Sequence, residues 1–235
     1  MRVAAVADIH LNAADRAADS RAFSAVNDRA DALVIAGDLT NHGKPEEMRG
    51  VLDVLGDVTV PIIAVLGNHD YESGQEGELC EMVLDAGIHL LDGDCFELDG
   101  IGFAGVKGSS GGFTPHELMP FGERYIKDFV DVAIKEAASL DRAIARLKAP
   151  KCIAIMHYAP IKATVKGEPE PIFPFLGSSR LEVVLDRRRP RFALHGHAHH
   201  GSFSGETTCG VPVFNVALHI LKQRQEPFPF AIFDV

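Results

Sequence analysis

A chain of 235 residues can bury a hydrophobic core unaided, and 46% apolar with 24% charged side chains excludes a disordered or collagen-like polymer. No aliphatic run approaches the roughly 18 residues needed to cross a bilayer. With 23 basic against 33 acidic residues the formal charge is -10, which repels long nucleic acid except where bound cations reverse the local field.

Apolar, β-rich runs at residues 3–7, 32–36 and 61–66 alternate with helical patterns at about 18–30, 45–55 and 77–86, the opening of an α/β domain. Pro45 suits a first helical turn and Gly87 a helix stop. Residues 88–106 read as short strands with a hairpin turn at Asp99-Gly100. A long helix is predicted over 123–147, because Ile126, Phe129, Val130, Ala133, Ile134, Ala137, Ile144 and Leu147 form one stripe at period 3.6. Further strands are expected at 152–156 and 191–194, near Phe203, and at 211–216 and 230–234, with a helix at 179–187. Residues 107–121 and 159–177 read as loops over a site. With no internal repeat and no long linker, one domain is expected over residues 1–235. The apolar residues 1–7 run into an aspartate and a histidine, Asp8 and His10, rather than a small-residue cleavage site, so the expected location is cytoplasmic. The four cysteines lie far apart without a CxxC pair, and they read as buried thiols rather than disulfides or zinc ligands.

Groups able to hold a metal cluster where these strands end: Asp8-Ile9-His10, Gly37-Asp38, Gly67-Asn68-His69-Asp70, His157 and Gly196-His197-Ala198-His199. In an open α/β sheet the carboxyl ends of strands line a shared crevice, so segments far apart in sequence meet there. Any one segment alone is ordinary turn chemistry. Five in succession, each after an apolar run, point to a metal centre.

The series DxH, GD, GNHD, H and GHxH resembles the calcineurin-like metallophosphoesterase superfamily, over residues 8 to 199. That resemblance implies an α/β fold, a four-layer α/β/β/α sandwich of two mixed sheets flanked by helices, with two divalent metal ions. By motif, Asp8, His10 and His199 would hold one metal, Asn68, His157 and His197 the other, and Asp38 would bridge them. Two cations about 3.5 to 4 Å apart need such a carboxylate between them, and together they clamp the attacking and leaving oxygens of an in-line displacement. Oxygen and imidazole donors suit Mn, Fe, Zn, Co or Ni without choosing among them. With a bridging hydroxide the centre would carry about +1, enough to draw an anionic ester to an acidic protein.

The expected reaction is hydrolysis of a small phosphoester, preferentially a phosphodiester, by in-line attack of that bridging hydroxide. His69 resembles the family histidine that stabilises the phosphoryl group or protonates the leaving alkoxide, and Asp70 is expected to orient its ring. Protein phosphatases of the superfamily share GDxVDRG and an arginine before GNHE; here the chain reads GDLTNHG, with Leu66 at the arginine position. The segment GDLTNHGKPEE and the length are more similar to compact prokaryotic phosphodiesterases. The rivals are a nuclease acting on DNA ends, which the charge disfavours, and a catalytically silent protein-binding scaffold, which would have lost ligands. His195 reads as structural or as a support behind the ligands, His42 equally as a residue near the substrate or a solvated loop histidine, and Arg187-Arg188-Arg189 as a solvated helix end.

Overall fold

A computed structural model describes residues 1–11 and 16–235. In chain order it runs β1 (Arg2–Val6), α1 (Arg16–Ser24), β2 (Ala32–Ala36), α2 (Pro45–Leu55), β3 (Ile62–Val65), α3 (Glu76–Asp85), β4 (His89–Leu90), β5 (Asp94–Leu98), β6 (Ile101–Val106) and α4 (Arg124–Arg146). There follow β7 (Lys151–Met156), α5 (Phe173–Leu176), α6 (Ser179–Arg188), β8 (Phe192–His195), β9 (Ser204–Glu206), β10 (Pro212–Asn215), α7 (Leu218–Gln223) and β11 (Ala231–Asp234).

Two mixed sheets result. The first has the order β11-β1-β2-β3-β4, parallel from β1 to β4 with β11 antiparallel at its edge. The second has the order β5-β6-β7-β8-β10-β9, parallel in the middle with antiparallel β5 and β9 outside.

Strict alternation within each strand builds the layers. Val3 and Ala5 of β1, Val34 of β2, Ile63 and Val65 of β3, and Ile153 and Ile155 of β7 all enter the core between the sheets. Their neighbours Ala4, Val6, Leu33, Ile35 and Ala64 pack outward beneath α1, α2 and α3. Ala154 and Met156 of β7 pack outward beneath α4 and α6, against Leu140, Ile144, Leu181 and Leu185. A strand with both faces covered has no polar side, which is why these runs are continuously apolar in the sequence. The architecture is therefore helix, sheet, sheet, helix, as the sequence motifs implied.

Several boundaries differ from expectation. The first predicted helix ends early: α1 stops at Ser24 and the chain tightens into a 3-10 turn over Ala25–Asp28. The start of that helix borders residues 12–15, outside the described residues. Residues 159–177 contain two 3-10 turns and α5 rather than plain loop, and α7 lacked any sequence signal strong enough to predict it. The hairpin stands: Asp99 and Gly100 both have positive φ, the requirement of a two-residue turn between β5 and β6. The cysteines need one correction. All are free, but Cys209 is exposed, in the β9–β10 turn, while Cys80, Cys95 and Cys152 are partly buried. Among the described residues no helix is long and apolar enough to cross a membrane.

Candidate metal centre

The five motifs converge at the carboxyl ends of β1, β2, β3, β7 and β8, so both sheets contribute. Asp8 N donates to Gly37 O at 3.0 Å and His10 N to Asp38 O at 3.3 Å, tying the β1 loop to the β2 loop. Gly196 N donates to His157 O at 3.1 Å, tying β8 to β7. The turns are sharp. Asp8, His10, Asp38 and His197 all have positive φ, a conformation that side-chain-bearing residues hold only when their surroundings enforce it.

Three donor triads form: Asp8 with His10 and His199, His10 with Asp38 and His69, and Asp38 with His157 and His197. His199 Nε2 lies 3.0 Å from Asp8 Oδ1, and His10 Nε2 lies 3.9 Å from Asp8 Oδ1 and 3.6 Å from Asp38 Oδ2. On the other side of Asp38, His157 Nε2 is 3.3 Å from Oδ2 and 2.9 Å from Asn68 Oδ1. All seven residues proposed as ligands from sequence therefore come together, with Asp38 between the two groups.

The motif glycines make this packing possible. A Cβ on Gly67 would stand 2.1 Å from Asp38 Oδ1, and one on Gly196 would stand 2.4 Å from Asp8 Oδ2. Gly67 leaves room for the carboxylate that follows the adjacent strand β2, and Gly196 for one that follows β1 in the other sheet.

In the metal-free protein the charges polarise. Burial alone would raise the Asp38 carboxyl, but the facing His157 charge outweighs it and holds Asp38 well below the usual carboxylate range. Burial opposes the charge on His157; Asp38, Asp8 and the Ala36 carbonyl override it and lift the ring to about 9. Both nitrogens of His157 face oxygen acceptors, Nδ1 on Ala36 O at 3.0 Å and Nε2 on Asn68, so the doubly protonated ring fits its site. Burial and the His157 charge push His197 down to about 4. His197 Nε2 donates to Phe175 O at 3.2 Å, which leaves Nδ1 as its lone-pair nitrogen.

The donor set fits divalent cations on one further observation. His10 Nδ1 and Nε2 and Asp38 Oδ2 are buried yet have no hydrogen-bond partner. Buried polar atoms are nearly always satisfied, so orphans clustered at one point mark a place for a ligand.

His69 and Asp70 separate. The His69 ring packs edge-on to His10 at 4.6 Å between centroids, and its Nδ1 donates to Asn41 O at 2.7 Å. The expectation that Asp70 orients this ring is corrected. The Asp70 carboxylate is fully buried and accepts from Thr40 N at 2.8 Å, Thr40 Oγ1 at 2.7 Å, Gly67 N at 2.9 Å and Leu39 N at 3.3 Å. With four donors already on it, Asp70 ties the β2 loop to the β3 loop and does not reach the imidazole. The Asn41 and Phe175 carbonyls that hold His69 and His197 could not have been found from sequence, because every residue type carries a carbonyl. His195 is structural, with Nδ1 near Gly196 O and Nε2 near Thr164 Oγ1 at 2.7 and 2.8 Å. Arg188 is held by Asp141 in a two-pronged pair at 2.8 Å, and Arg187 lies 3.5 Å from the same carboxylate.

The family model for calcineurin-like phosphoesterases matches residues 1–201, and the chain belongs to that family. It is 27% identical over 189 residues to a probable cyclic nucleotide phosphodiesterase of Rhodococcus erythropolis strain PR4, covering 79% of this chain and 56% of that one. Over 48 residues it is 40% identical to the glycerophosphodiester phosphodiesterase GpdQ of Enterobacter lignolyticus, covering 20% of this chain and 17% of that one. The matches thus span little more than half of one curated relative and about a sixth of the other. The fold is similar to that of phosphopantetheinyl hydrolase PptH from Mycobacterium tuberculosis, with a TM-score of 0.71, 14% identity, and coverage of 98% and 95% of the two chains.

Proposed function

We propose that this protein hydrolyses a small phosphodiester with the help of two divalent cations, one held by Asp8, His10 and His199, the other by Asn68, His157 and His197, and both by Asp38. The observation that carries the reading is the convergence of three donor triads on unpartnered buried atoms of His10 and Asp38. Bound there, such cations supply an acidified water and positive charge at phosphorus. Oxygen and nitrogen donors without thiolate suit a hard or borderline metal.

The chain's own groups do the rest. Asp38, buried and held anionic, gives a shared negative charge between the two donor sets. Asn41 O accepts from His69 Nδ1, which fixes the ring and leaves Nε2, on the side of the cleft beside His10, as the nitrogen that can exchange a proton with the ester. In that position it serves the phosphoryl oxygens or the departing alkoxide. Asp70 contributes by holding the β2 and β3 loops at a fixed separation. The choice of a diester draws on the phosphodiesterase names of the two sequence relatives and on the departure of GDLTNHG and Leu66 from the protein-phosphatase pattern.

The test is elemental analysis of the purified protein followed by a panel of a monoester, a linear diester and 2',3'- and 3',5'-cyclic nucleotides. Two equivalents of a transition metal with turnover of a diester are expected, and Asp38→Asn abolishes both while keeping the fold. Occupied metals with no turnover on the whole panel would leave the silent scaffold as the better reading.

A further inference from the structure

The inward seam of α4 runs through Ile126, Val130, Ala133, Ala137, Leu140 and Ile144, spaced alternately four and three residues apart. From Val130 onward the seam is buried, with Ala137, Leu140 and Ile144 packed against the second sheet and α6. Ahead of Val130 that cover thins. Residues 121–129 are all exposed, and Ile126 and Phe129, which belong to the same face, are each 40% open to solvent. The first two turns of α4 thus overhang the covered part of the seam with their apolar stripe partly open to solvent. Met119, Phe121 and Tyr125 extend the patch at 64, 83 and 69% exposure.

We propose that this overhang is a homodimer interface in which α4 packs antiparallel against α4 of a second copy, about a two-fold axis near Tyr125 and Ile126. The proposal is independent of the metal centre.

Two features select a second copy as the occupant. The first is area. The five side chains expose roughly 600 Å², taking the 150–250 Å² that a large side chain presents. That is the upper end of what monomers tolerate, and two such patches face to face give about 1,200 Å², the threshold of a specific interface.

The second is charge. On the outer face of α4, Arg124 pairs with Asp128 at 3.5 Å and Lys135 lies beside Asp131, each one helical turn apart. Glu123 and Lys127 flank the apolar seam on one side instead, and neither side chain has an ion-pair partner among the described residues. In an antiparallel pair centred on Tyr125, Glu123 of each copy stands opposite Lys127 of the other. The flank is therefore complementary to itself, which is what a two-fold axis requires.

Sedimentation velocity and light scattering on the full chain test this, over a loading series from about 1 to 100 µM, the span of moderate association. The wild-type protein is expected to reach twice 25.4 kDa. Ile126→Glu with Phe129→Glu should weaken the dimer at least about 100-fold, the scale of a central apolar anchor pair, with far-UV spectrum and diester turnover unchanged. Glu123→Lys and Lys127→Glu should each weaken it, and the double reversal should restore it. A wild-type monomer across the series, a dimer indifferent to the two apolar substitutions, or a double reversal no better than either single one would overturn the proposal.

Discussion

Replacing Gly67 by alanine tests whether the site depends on the close approach of neighbouring strands. The new Cβ would lie 2.1 Å from Asp38 Oδ1 and 2.4 Å from Asp38 N, where real Cβ contacts do not fall below 3.0 Å. Rotating the carboxylate relieves only the first contact. The second needs the backbone of the β2 loop to retreat by more than half an ångström, on the order of 1 Å at the carboxylate, and such a misplacement at a reacting centre costs about 100-fold. The same movement breaks the 2.9 Å hydrogen bond from His69 N to Asp38 Oδ1. Gly67→Ala should therefore purify with less than its full metal content and turn over a chromogenic diester roughly 100-fold more slowly. Gly77→Ala is the matched control: nothing lies within 4 Å of its Cβ, and a glycine-to-alanine change inside α3 should stabilise by about 0.5–1 kcal/mol. Elemental analysis, steady-state kinetics and thermal melts on the pair decide it. Wild-type metal content and turnover in Gly67→Ala would refute the packing argument.

Asp70→Asn replaces one carboxylate oxygen by an amide donor, which then faces either Thr40 N and the Thr40 hydroxyl or Leu39 N and Gly67 N; at about 1–3 kcal/mol for each buried group left unpaired, unfolding in denaturant should show a loss of at least about 1–3 kcal/mol. His157 is raised from 6.5 to about 9 in the metal-free fold, so its stabilising contribution is complete below pH 6.5 and is lost as pH climbs toward 9. Chelated protein should lose on the order of 3 kcal/mol across that window, read as a falling melting temperature; a melting temperature that is flat or rises there contradicts the His157–Asp38 pairing. Because the same proton competes with a cation, metal affinity should rise over the same interval, with proton release visible by calorimetry in buffers of different ionisation enthalpy. His69→Gln should lower kcat by about 100-fold or more with little change in metal content, the split expected of a group acting on the ester rather than on the cations.

Much of this was legible before any coordinates. Continuous apolar runs such as 32–36 reveal doubly covered strands, and a polar motif at the end of each run reveals the crevice they share. Chain ends and short elements were less visible, since α7 has only six residues and its position follows from packing against α1 and the first sheet rather than from its own periodicity. Roles that depend on backbone groups were invisible. Asp70 shows the limit well: its place beside His69 in sequence suggested partnership, yet a 3-10 turn over His69–Tyr71 directs the two side chains apart, one into the cleft and one into the loop junction. Cys209 likewise reads as an ordinary apolar residue until the β9–β10 turn carries it to the surface.

The centre draws on chain positions as distant as Asp8 and His199, and a backbone hydrogen bond from His197 to the Asp8 carboxylate joins the first segment to the last. During translation the leading strands β1, β2 and β3 can pair as soon as they leave the ribosome, because their partners are adjacent in the chain. They then carry part of a cation seat, with Asp38 beside His10 and His69 but still lacking His157 and His197. An ion acquired at that stage would have an incomplete cage, so a full set of donors for a cation forms only when β7 and β8 dock.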